Sequence, residues 1–404
     1  MAGCVSTPRQ NAANVSDWQD LDTSSLSTVS PVPAITAVPT PINPLALPAK
    51  GPVPDETEPG NRVRGTWVPL PEWTRSRGLA TPALLSSGLP VTYAVKSTNG
   101  LFVIKAGSVL GHWDGLELRL GYAPQWINGQ LYVHALDLRK TLQPLLQSAP
   151  GTNLGIGSVI VLDPGHGGTD VGTKSVRNGY FEKDYTLDWA LRLQALLTAH
   201  GYRVFLTRHY DTEVALSNRV AFAAQHKADA FISLHFNSAG QDSNEVGLET
   251  YCLTPAGMPS SITRGFSDET SLIFTNNAYD AQNLRLALKV HRALLQVNGH
   301  LDRGVRRARF PGVLRGQDRP AILVEGGYLS NPREAGLIAD PDYRQRLAEA
   351  VARALAPSSA IPSQIAKREA QAPPERMELR TSSADKGSAD VQEPVGITNG
   401  QPPL

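Results

Sequence analysis

Two patterns of hydrophobic residues divide the chain. Between residues 159 and 355, continuous apolar runs such as Val159–Leu162 alternate with stretches in which apolar residues recur at helical spacing. A continuous run is typical of a strand buried on both faces of a parallel sheet, and the recurring spacing predicts amphipathic helices. The alternation predicts an α/β fold, a largely parallel sheet flanked by helices. Strands are predicted at 159–162, 204–206, 231–234 and 321–324, and helices from Glu182 to about Gly201 and near 216–226, 281–297 and 343–355.

The preceding segment, residues 61–150, consists of shorter β-like runs separated by turn residues. Asn-Gly pairs at 99–100 and 128–129 lie between apolar runs, which is a strong signal for β-hairpins. Leucines alternate with charged residues over 116–120, as in a half-buried strand. With one short helix predicted at 136–146, this segment is expected to form a small strand-rich α+β module.

The two ends of the chain have a different composition. Residues 1–60 contain a stretch rich in Pro, Ser and Thr, and residues 358–404 combine Ala, Pro, Ser and Gln with mixed charges. Such segments bury too little apolar area to offset their ordering entropy, so both are predicted to be disordered. The predicted order is therefore a linker (1–60), an accessory module (61–150), a catalytic domain (151–357) and a tail (358–404).

Composition excludes several classes of protein. The chain has 38 Lys and Arg against 37 Asp and Glu, a net charge of +1, which argues against a general nucleic-acid-binding surface. Its two cysteines, Cys4 and Cys252, exclude a disulfide framework and a cysteine-rich zinc module. No apolar run reaches about 18 residues, so no transmembrane helix is predicted.

Residues able to carry chemistry follow three of the predicted strands. His166 comes directly after the first strand in the sequence Asp-Pro-Gly-His-Gly-Gly, His235 ends another, and Glu325 ends a third. Glu182 opens the first helix. Ligands of open α/β sheets bind at the carboxyl ends of the strands. The sequence thus predicts two imidazoles and two carboxylates at one rim of the sheet.

Two histidines and one carboxylate with an open fourth position form the ligand set of a catalytic zinc site. Imidazole suits Zn²⁺ better than the hard cations Mg²⁺ and Ca²⁺. The separations of these residues match no local metal motif, and scattered His and Glu are common, so spacing alone leaves the metal open. An esterase loop is the other interpretation of Gly-His-Gly-Gly, but it requires a G-x-S-x-G sequence that the chain does not contain.

The motifs of residues 159–355, taken in order, resemble the zinc-dependent N-acetylmuramoyl-L-alanine amidases of bacterial cell walls, the amidase_3 type. The resemblance implies that His166, Glu182 and His235 bind one Zn²⁺ and that Glu325 is the catalytic glutamate, which acts as general base and then as general acid. The motifs are Asp163–Gly168, Phe181–Asp184, Leu206–Arg208, Ala228–His235, Val313–Arg315 and Val324–Asn331.

The implied function is hydrolysis of the amide bond between N-acetylmuramic acid and L-Ala of the peptidoglycan stem peptide. A zinc peptidase cutting within the stem peptide has the same ligand set and stays open. A non-catalytic peptidoglycan-binding protein is disfavoured, because inactive relatives typically lose a ligand or the acid and all four positions are filled here. The expected partner is peptidoglycan; no nucleic acid is expected, and the resemblance leaves protein regulators open.

The expected location is the cell envelope, either periplasmic or anchored in the outer membrane. No secretory signal precedes residue 20, yet Met1-Ala2-Gly3-Cys4 resembles the end of a bacterial lipobox. Cys4 is accordingly a candidate lipid anchor, with a missing upstream start as the implied explanation and a chance match as the alternative. The 61–150 module resembles the domains akin to the N-terminal domain of copper amine oxidases, without a copper site.

Several other residues allow two interpretations. Asp163 either ends a strand or orients a metal ligand. The basic run 303–309 is either a solvated face or a contact for peptide carboxylates of peptidoglycan. Cys252 is expected to be a small buried hydrophobe. Four further histidines are expected to be solvated rather than ligands: His209, His226, His291 and His300.

Overall fold

One large sheet runs through most of the chain described by the computed structural model, which covers residues 66–147, 154–240, 243–265, 267–297, 299 and 301–356. The predicted linker 1–60, the tail 358–404, Cys4 and His300 lie outside these residues. The strands are β1 (Trp67–Pro69), β2 (Ala83–Ser86), β3 (Thr92–Ser97), β4 (Gly100–Lys105), β5 (Leu110–Trp113), β6 (Leu116–Arg119), β7 (Gln125–Ile127), β8 (Gln130–His134), β9 (Val159–Pro164), β10 (Arg203–Leu206), β11 (Ala230–Asn237), β12 (Leu248–Leu253), β13 (Asp302–Ala308) and β14 (Ala321–Tyr328).

Helices occur both in the 61–150 segment and in the segment that follows it. They are α1 (Leu70–Ser76), α2 (Ala135–Asp137), which continues through a π-helical segment (Leu138–Leu142) into α3 (Gln143–Leu146), α4 (Glu182–Ala199), α5 (Leu216–Gln225), α6 (Asp280–Leu295), α7 (Gly312–Arg315), α8 (Pro332–Ala339) and α9 (Pro341–Leu355). A 3₁₀ segment (Thr275–Tyr279) precedes α6. No helix of the described residues is long and apolar enough to cross a bilayer.

The large sheet has the strand order β10-β9-β11-β14-β12-β13-β6-β5-β4-β3-β2. Strands β10, β9, β11 and β14 are mutually parallel. Strand β12 runs antiparallel to β14 and parallel to β13. The predicted fold class, a largely parallel α/β sheet preceded by a strand-rich module, is confirmed, and the reversal at β12 adds an antiparallel step that the hydrophobic pattern did not predict.

Alternate residues of β9 face two separate hydrophobic cores. Ile160 and Leu162 pack into the larger core with Trp189 of α4 and Leu347 of α9. Val161 packs into the smaller core, which includes residues of α5 and α7. A strand covered on both faces needs apolar residues at every position. This double burial explains the continuous apolar run in the sequence.

Five strands of the accessory module join the large sheet. Strands β2 to β6 form an antiparallel meander, and β6 pairs with β13 through Leu118 and Val305. The Glu117 N–H donates to Asp302 at 2.9 Å across this junction. The guanidinium of Arg307 donates to the Thr141 hydroxyl at 2.7 Å. A separate small sheet of the module has the order β1-β8-β7.

Residues 303–308 of the basic run lie in strand β13, Arg309 follows the strand, and neither interpretation of the run holds. Arg303 pairs with Glu249 at 2.6 Å, and Arg309 pairs with Asp268. Arg307 is buried and bound to the module. Guanidinium groups that enter a protein interior need such partners. These arginines therefore join elements of the fold instead of forming a solvated face or an open contact surface.

Among the other histidines, His291 contradicts the expectation of solvation. It is fully buried on α6, where Nδ1 lies 3.0 Å from the Thr250 hydroxyl and Nε2 lies 2.9 Å from Asp302. His209 is exposed, and His226 is half-buried. A buried histidine with both ring nitrogens bonded is a structural element of the core. Cys252 is buried on β12, as expected.

Candidate metal centre

The parallel strands bring the predicted residues to one rim. His235 lies near the carboxyl end of β11 and pairs in register with Glu325 of β14. His166 lies in the loop that follows β9, and Glu182 is the first residue of α4. All four residues are buried. The structure therefore brings together the four residues that the sequence placed at this rim.

His166, Glu182 and His235 form a compact trio of metal-ligand types. Each contributes one donor atom, and these atoms lie within 4.8 Å of one another. Nε2 of His166 is 3.1 Å from Oε2 of Glu182, and Nδ1 of His235 is 2.9 Å from Oε1. One carboxylate thus faces two imidazole nitrogens. That the trio binds a metal stays a prediction.

Asp170 orients the first histidine, and the sequence interpretation missed it. Its Oδ1 lies 2.7 Å from Nδ1 of His166. A carboxylate on one ring nitrogen holds the proton there and leaves the other nitrogen as an electron-pair donor. Nε2 is therefore directed at Glu182. The signal in the sequence was the Asp four residues after His166, which the loop returns to the imidazole.

Two glycines leave room for the imidazoles. A Cβ atom at Gly165 would collide with the ring of His235, and one at Gly172 would lie 2.6 Å from Cδ2 of His166 and 2.7 Å from Oε2 of Glu182. His166 itself has a φ of 61°, which non-glycine residues rarely adopt. Backbone strain of this kind is characteristic of functional sites.

Two buried arginines hold the loop of His166 in this conformation. Arg219 donates to the carbonyl oxygens of Pro164 and His166, each at 2.8 Å. Arg208 donates to the carbonyl oxygen of Gly165 at 2.8 Å. Asp163 accepts from Arg219 at 2.7 Å and touches neither histidine. Asp163 therefore fixes the loop. The residue that orients His166 is Asp170 and not Asp163.

The charge balance of the trio favours a positive charge between its members. Burial by itself lowers the pKa of His166, but Glu182 and Asp170 outweigh burial and raise that pKa to about 10. Burial would raise the pKa of Glu182, and the two histidines instead lower it. Burial lowers the pKa of His235. Glu182 and Asp170 thus hold a proton on His166, and a metal cation bound by the trio would take the place of that proton.

Glu325 stands beside the trio with one unsatisfied oxygen. Its Oε2 is buried and has no hydrogen-bond partner in the described structure. Burial raises the pKa of Glu325 to about 8, with Arg264 opposing the rise and Glu182 and Glu249 adding to it. A buried carboxyl without a partner is costly to maintain. Such a group at a cleft is a candidate for proton transfer.

One cleft, of about 490 Å³, lies away from the trio. A second cleft, which includes His166 and His235, has a volume of about 480 Å³. The walls of this second cleft come from the loops around Thr169, Glu213 and Pro311. Its size and mixed lining suit a small peptide or sugar segment. The other cavity lies between the accessory module and α6, away from the predicted residues.

A second buried carboxylate lies on the neighbouring strand. Glu249 of β12 pairs in register with Glu325 of β14. Its Oε1 accepts from Arg303 at 2.6 Å and from the Tyr328 hydroxyl at 3.2 Å, and its Oε2 accepts from the Tyr251 hydroxyl. We call these groups the Glu249 network. Every oxygen of its central carboxylate has a donor.

The fold and the trio together define an α/β protein with the donor set of zinc hydrolases. The profile of the family Amidase_3, described as N-acetylmuramoyl-L-alanine amidase, matches residues 160–357. The chain is 34% identical over 271 residues to the probable cell wall amidase LytH of Staphylococcus aureus, with 66% of this chain and 77% of that protein covered. This chain belongs to the N-acetylmuramoyl-L-alanine amidase family.

Two further similarities were found. The chain is 34% identical over 236 residues to the N-acetylmuramoyl-L-alanine amidase AmiC of Neisseria meningitidis, and the match spans 54% of this chain and 55% of that relative. The catalytic domain of CwlV, an amidase of Bacillus (Paenibacillus) polymyxa, aligns at 29% identity and a TM-score of 0.41 over 52% of this chain and 98% of that one. The predicted family and the enzyme class, a cell-wall amidase, are confirmed.

Proposed function

We propose that the protein hydrolyses the amide bond between N-acetylmuramic acid and L-Ala of peptidoglycan, with one Zn²⁺ held by His166, Glu182 and His235. The observation that carries the proposal is the trio itself: two imidazoles and a carboxylate whose donor atoms lie within 4.8 Å of one another. This donor set fits zinc. Membership in this family supports the amide between N-acetylmuramic acid and L-Ala as the bond that is cut.

The surroundings of the trio support a cation as its occupant. Asp170 bonds the far nitrogen of His166, an arrangement that raises the basicity of a ligating imidazole. Gly165 and Gly172 leave the space that larger residues would fill. Zinc bound here would polarise the amide carbonyl and lower the pKa of water to about 7.

Glu325 is proposed to move the proton. An amide is cleaved only when its leaving nitrogen is protonated, and a carboxyl beside the site can take a proton from the attacking water and deliver it to nitrogen. Oε2 of Glu325 has no hydrogen-bond partner in the described structure, so it is available for water. A cation bound in the trio would lower the pKa of Glu325 and so favour the ionised form that acts as the base.

The decisive experiment combines metal analysis with product identification. The purified full chain should contain one zinc per molecule, lose activity on chelation and regain it with added zinc. Mass spectrometry of digested muropeptides should find free glycan and stem peptides that retain L-Ala. Fragments cut inside the stem would identify a peptidase instead, and full activity after exhaustive chelation would exclude the metal.

We also propose an envelope location with Cys4 as a lipid anchor and a wall-binding role for residues 61–150. The relatives named as cell wall amidases support an extracytoplasmic site of action. Membrane fractionation of the protein expressed with its upstream reading frame tests the anchor. A membrane-bound protein that Cys4→Ser releases is expected; a soluble protein that the change leaves unaffected would refute the anchor.

A further inference from the structure

The cleft between the accessory module and α6 has no part in the proposed hydrolysis. It has a volume of about 490 Å³, and its lining residues do not overlap with those of the cleft at the trio. We call it the module cleft; Asp114 of the accessory module and Arg285, Lys289 and Arg292 of α6 line it together with apolar side chains. A concave site with apolar walls and a few polar groups is typical of ligand binding.

Three cationic side chains of α6 line the module cleft. Arg285, Lys289 and Arg292 follow one another at intervals of four and three residues, so they share one face of the helix. They span about 10 Å along its axis. Like charges at these intervals destabilise a helix. The arrangement therefore costs folding free energy, and a structural role does not explain it.

One carboxylate stands against these three cations among the residues that line the module cleft. Oδ2 of Asp114 lies 3.5 Å from Nη2 of Arg292, and Oδ1 accepts the Leu101 N–H at 2.8 Å. Nε of Arg285 donates to the carbonyl oxygen of Pro144 at 3.0 Å, which holds this guanidinium at the wall formed by α3. The lining of the cleft thus carries two more positive charges than negative ones.

Partial burial adds to the cost of two of these charges. It lowers the pKa of Arg285, and it lowers the pKa of Lys289 although that side chain is exposed. A cation whose surroundings disfavour its charge is stabilised by an anion that binds beside it. On β13, by contrast, the half-buried Arg303 already has Glu249 as its counter-charge. The module cleft therefore favours an anion from outside.

We infer that the module cleft binds carboxylates of a peptidoglycan stem peptide, which Arg285, Lys289 and Arg292 receive. The inference deepens the proposed wall-binding role of residues 61–150 and rests on it, but it does not depend on zinc. Hydrogen bonds from such cations to a carboxylate are charge-assisted. Two carboxylates carried by one residue of a stem can each face a different cation of this helix face.

A carboxylate site here gives the protein two contacts with one polymer. A stem bound in the module cleft leaves the other stems of the same polymer for the trio. The second contact is then intramolecular, so the two clefts together hold the wall more tightly than either does alone. The accessory module contributes to this binding because its residues complete the cleft on the side opposite α6.

Calorimetry on the purified full-length protein tests the cleft without catalysis. The probes are N-acetyl-L-Ala-D-Glu, which carries two carboxylates, and its diamide, which carries none. The unchanged protein should bind the acid more tightly than the diamide, since an amide has no charge. Lys289→Gln should weaken binding of the acid about 3- to 10-fold, the expected loss for one charged contact at an exposed position, and leave binding of the diamide unchanged.

Two further variants separate the charge from other effects. Lys227→Gln removes an exposed lysine that lines neither cleft, so it should bind the acid like the unchanged protein. Lys289→Arg keeps the positive charge and should bind the acid within about 2-fold of the unchanged protein. The melting temperature, measured for every variant, identifies a loss that comes from misfolding.

Three results would overturn the inference. They are full binding of the acid by Lys289→Gln, an equal loss in Lys227→Gln, and tighter binding of glycerol phosphate than of the acid, which would assign the cleft to phosphate groups. Co-sedimentation with sacculi separates the inference from the proposed wall-binding role. If sacculi retain the protein but the dipeptide binds independently of Lys289, the wall-binding role stands and the inference fails. If the dipeptide binds through Lys289 but sacculi do not retain the protein, the wall-binding role fails and the carboxylate site stands.

Discussion

The two buried carboxylates that flank Glu325 have opposite kinds of partners. Glu182 faces the imidazoles of His166 and His235. In the Glu249 network, Arg303 and the hydroxyls of Tyr251 and Tyr328 donate hydrogen bonds to the carboxylate. Guanidinium groups are always charged, whereas an imidazole is charged only while it holds a second proton, which a metal cation can replace. Glu249 is therefore neutralised by fixed charges, whereas Glu182 is balanced by a proton on His166 that a metal cation would displace.

The comparison teaches that burial by itself does not distinguish a reactive carboxylate from a structural one. Glu182 and Glu249 are both almost fully buried, and the pKa of each is lowered. What differs is whether the partners complete the charge balance. Glu325 lies between them, in register with both neighbouring strands, and keeps an oxygen without a partner. Of these three carboxylates, Glu325 is the one that lacks a hydrogen-bond donor for one oxygen among the described residues.

The largest effect is expected when this unsatisfied carboxyl is removed. Glu325→Gln keeps the shape of the side chain but cannot carry the proton, so activity on muropeptides should fall about 10²- to 10⁴-fold. Zinc content, measured by atomic absorption, should not change. A variant that loses zinc would make Glu325 a ligand, and one that stays active would assign the proton transfer to another residue.

The Glu249 network should respond through stability instead. Glu249→Gln leaves the half-buried Arg303 and Arg306 without the charge of the buried Glu249, which should lower the free energy of unfolding by about 3 kcal/mol. Urea denaturation of the zinc-loaded protein measures this loss. Glu72→Gln changes an exposed glutamate of α1 and should stay within about 0.5 kcal/mol of the unchanged protein. An unchanged midpoint for Glu249→Gln would show that the network contributes nothing to folding.

The same variant has a pH signature. Burial would raise the pKa of Glu249, but Arg306, Tyr251 and Arg303 lower it below its unfolded value. Its stabilising contribution is therefore complete above the unfolded pKa of about 4.3 and is lost as the pH falls through the lower folded value. The stability difference between the unchanged protein and Glu249→Gln should shrink in acid. A constant difference down to pH 3 would contradict the ion pair.

The smallest effect is expected at the orienting carboxylate. Asp170→Asn keeps a hydrogen-bonding group near His166 but removes the charge, so zinc affinity should fall about 10- to 100-fold. Competition with a chelator of known affinity measures it. Asp184→Asn removes an exposed carboxylate of the same region without touching a histidine and should bind zinc like the unchanged protein. Equal affinities in both variants would remove Asp170 from the site.

The strand ends were predictable because they combine two independent signals. Continuous apolar runs marked β9, β11 and β14, and the polar residue after each run fell on the same rim by the geometry of parallel strands. Asp170 was not predictable in this way, since its contact with His166 depends on a loop that turns back on itself at a positive φ. Hydrophobic periodicity contains no information on such a loop.

Strands β12 and β13 were missed for a different reason. Their sequences carry Glu249 and Arg307 at positions that the fold buries and Arg303 at a half-buried one, so the pattern looked polar. The polar groups are satisfied by one another and by residues far along the chain, such as Thr141. Pairings of this kind are tertiary, and a local pattern cannot predict them. His291 was assigned to solvent for the same reason.

The continuity of the sheet between β6 and β13 has a consequence for dividing the chain. A fragment that begins at residue 151 would leave β13 as an uncovered edge, and Arg307 would lose its contacts with Lys140 and Thr141. Open strand edges recruit other chains and promote aggregation. The accessory module therefore covers this edge of the catalytic sheet, whatever else it binds. Poor solubility of a shortened protein would reflect the uncovered edge rather than a defect of the metal-ligand trio.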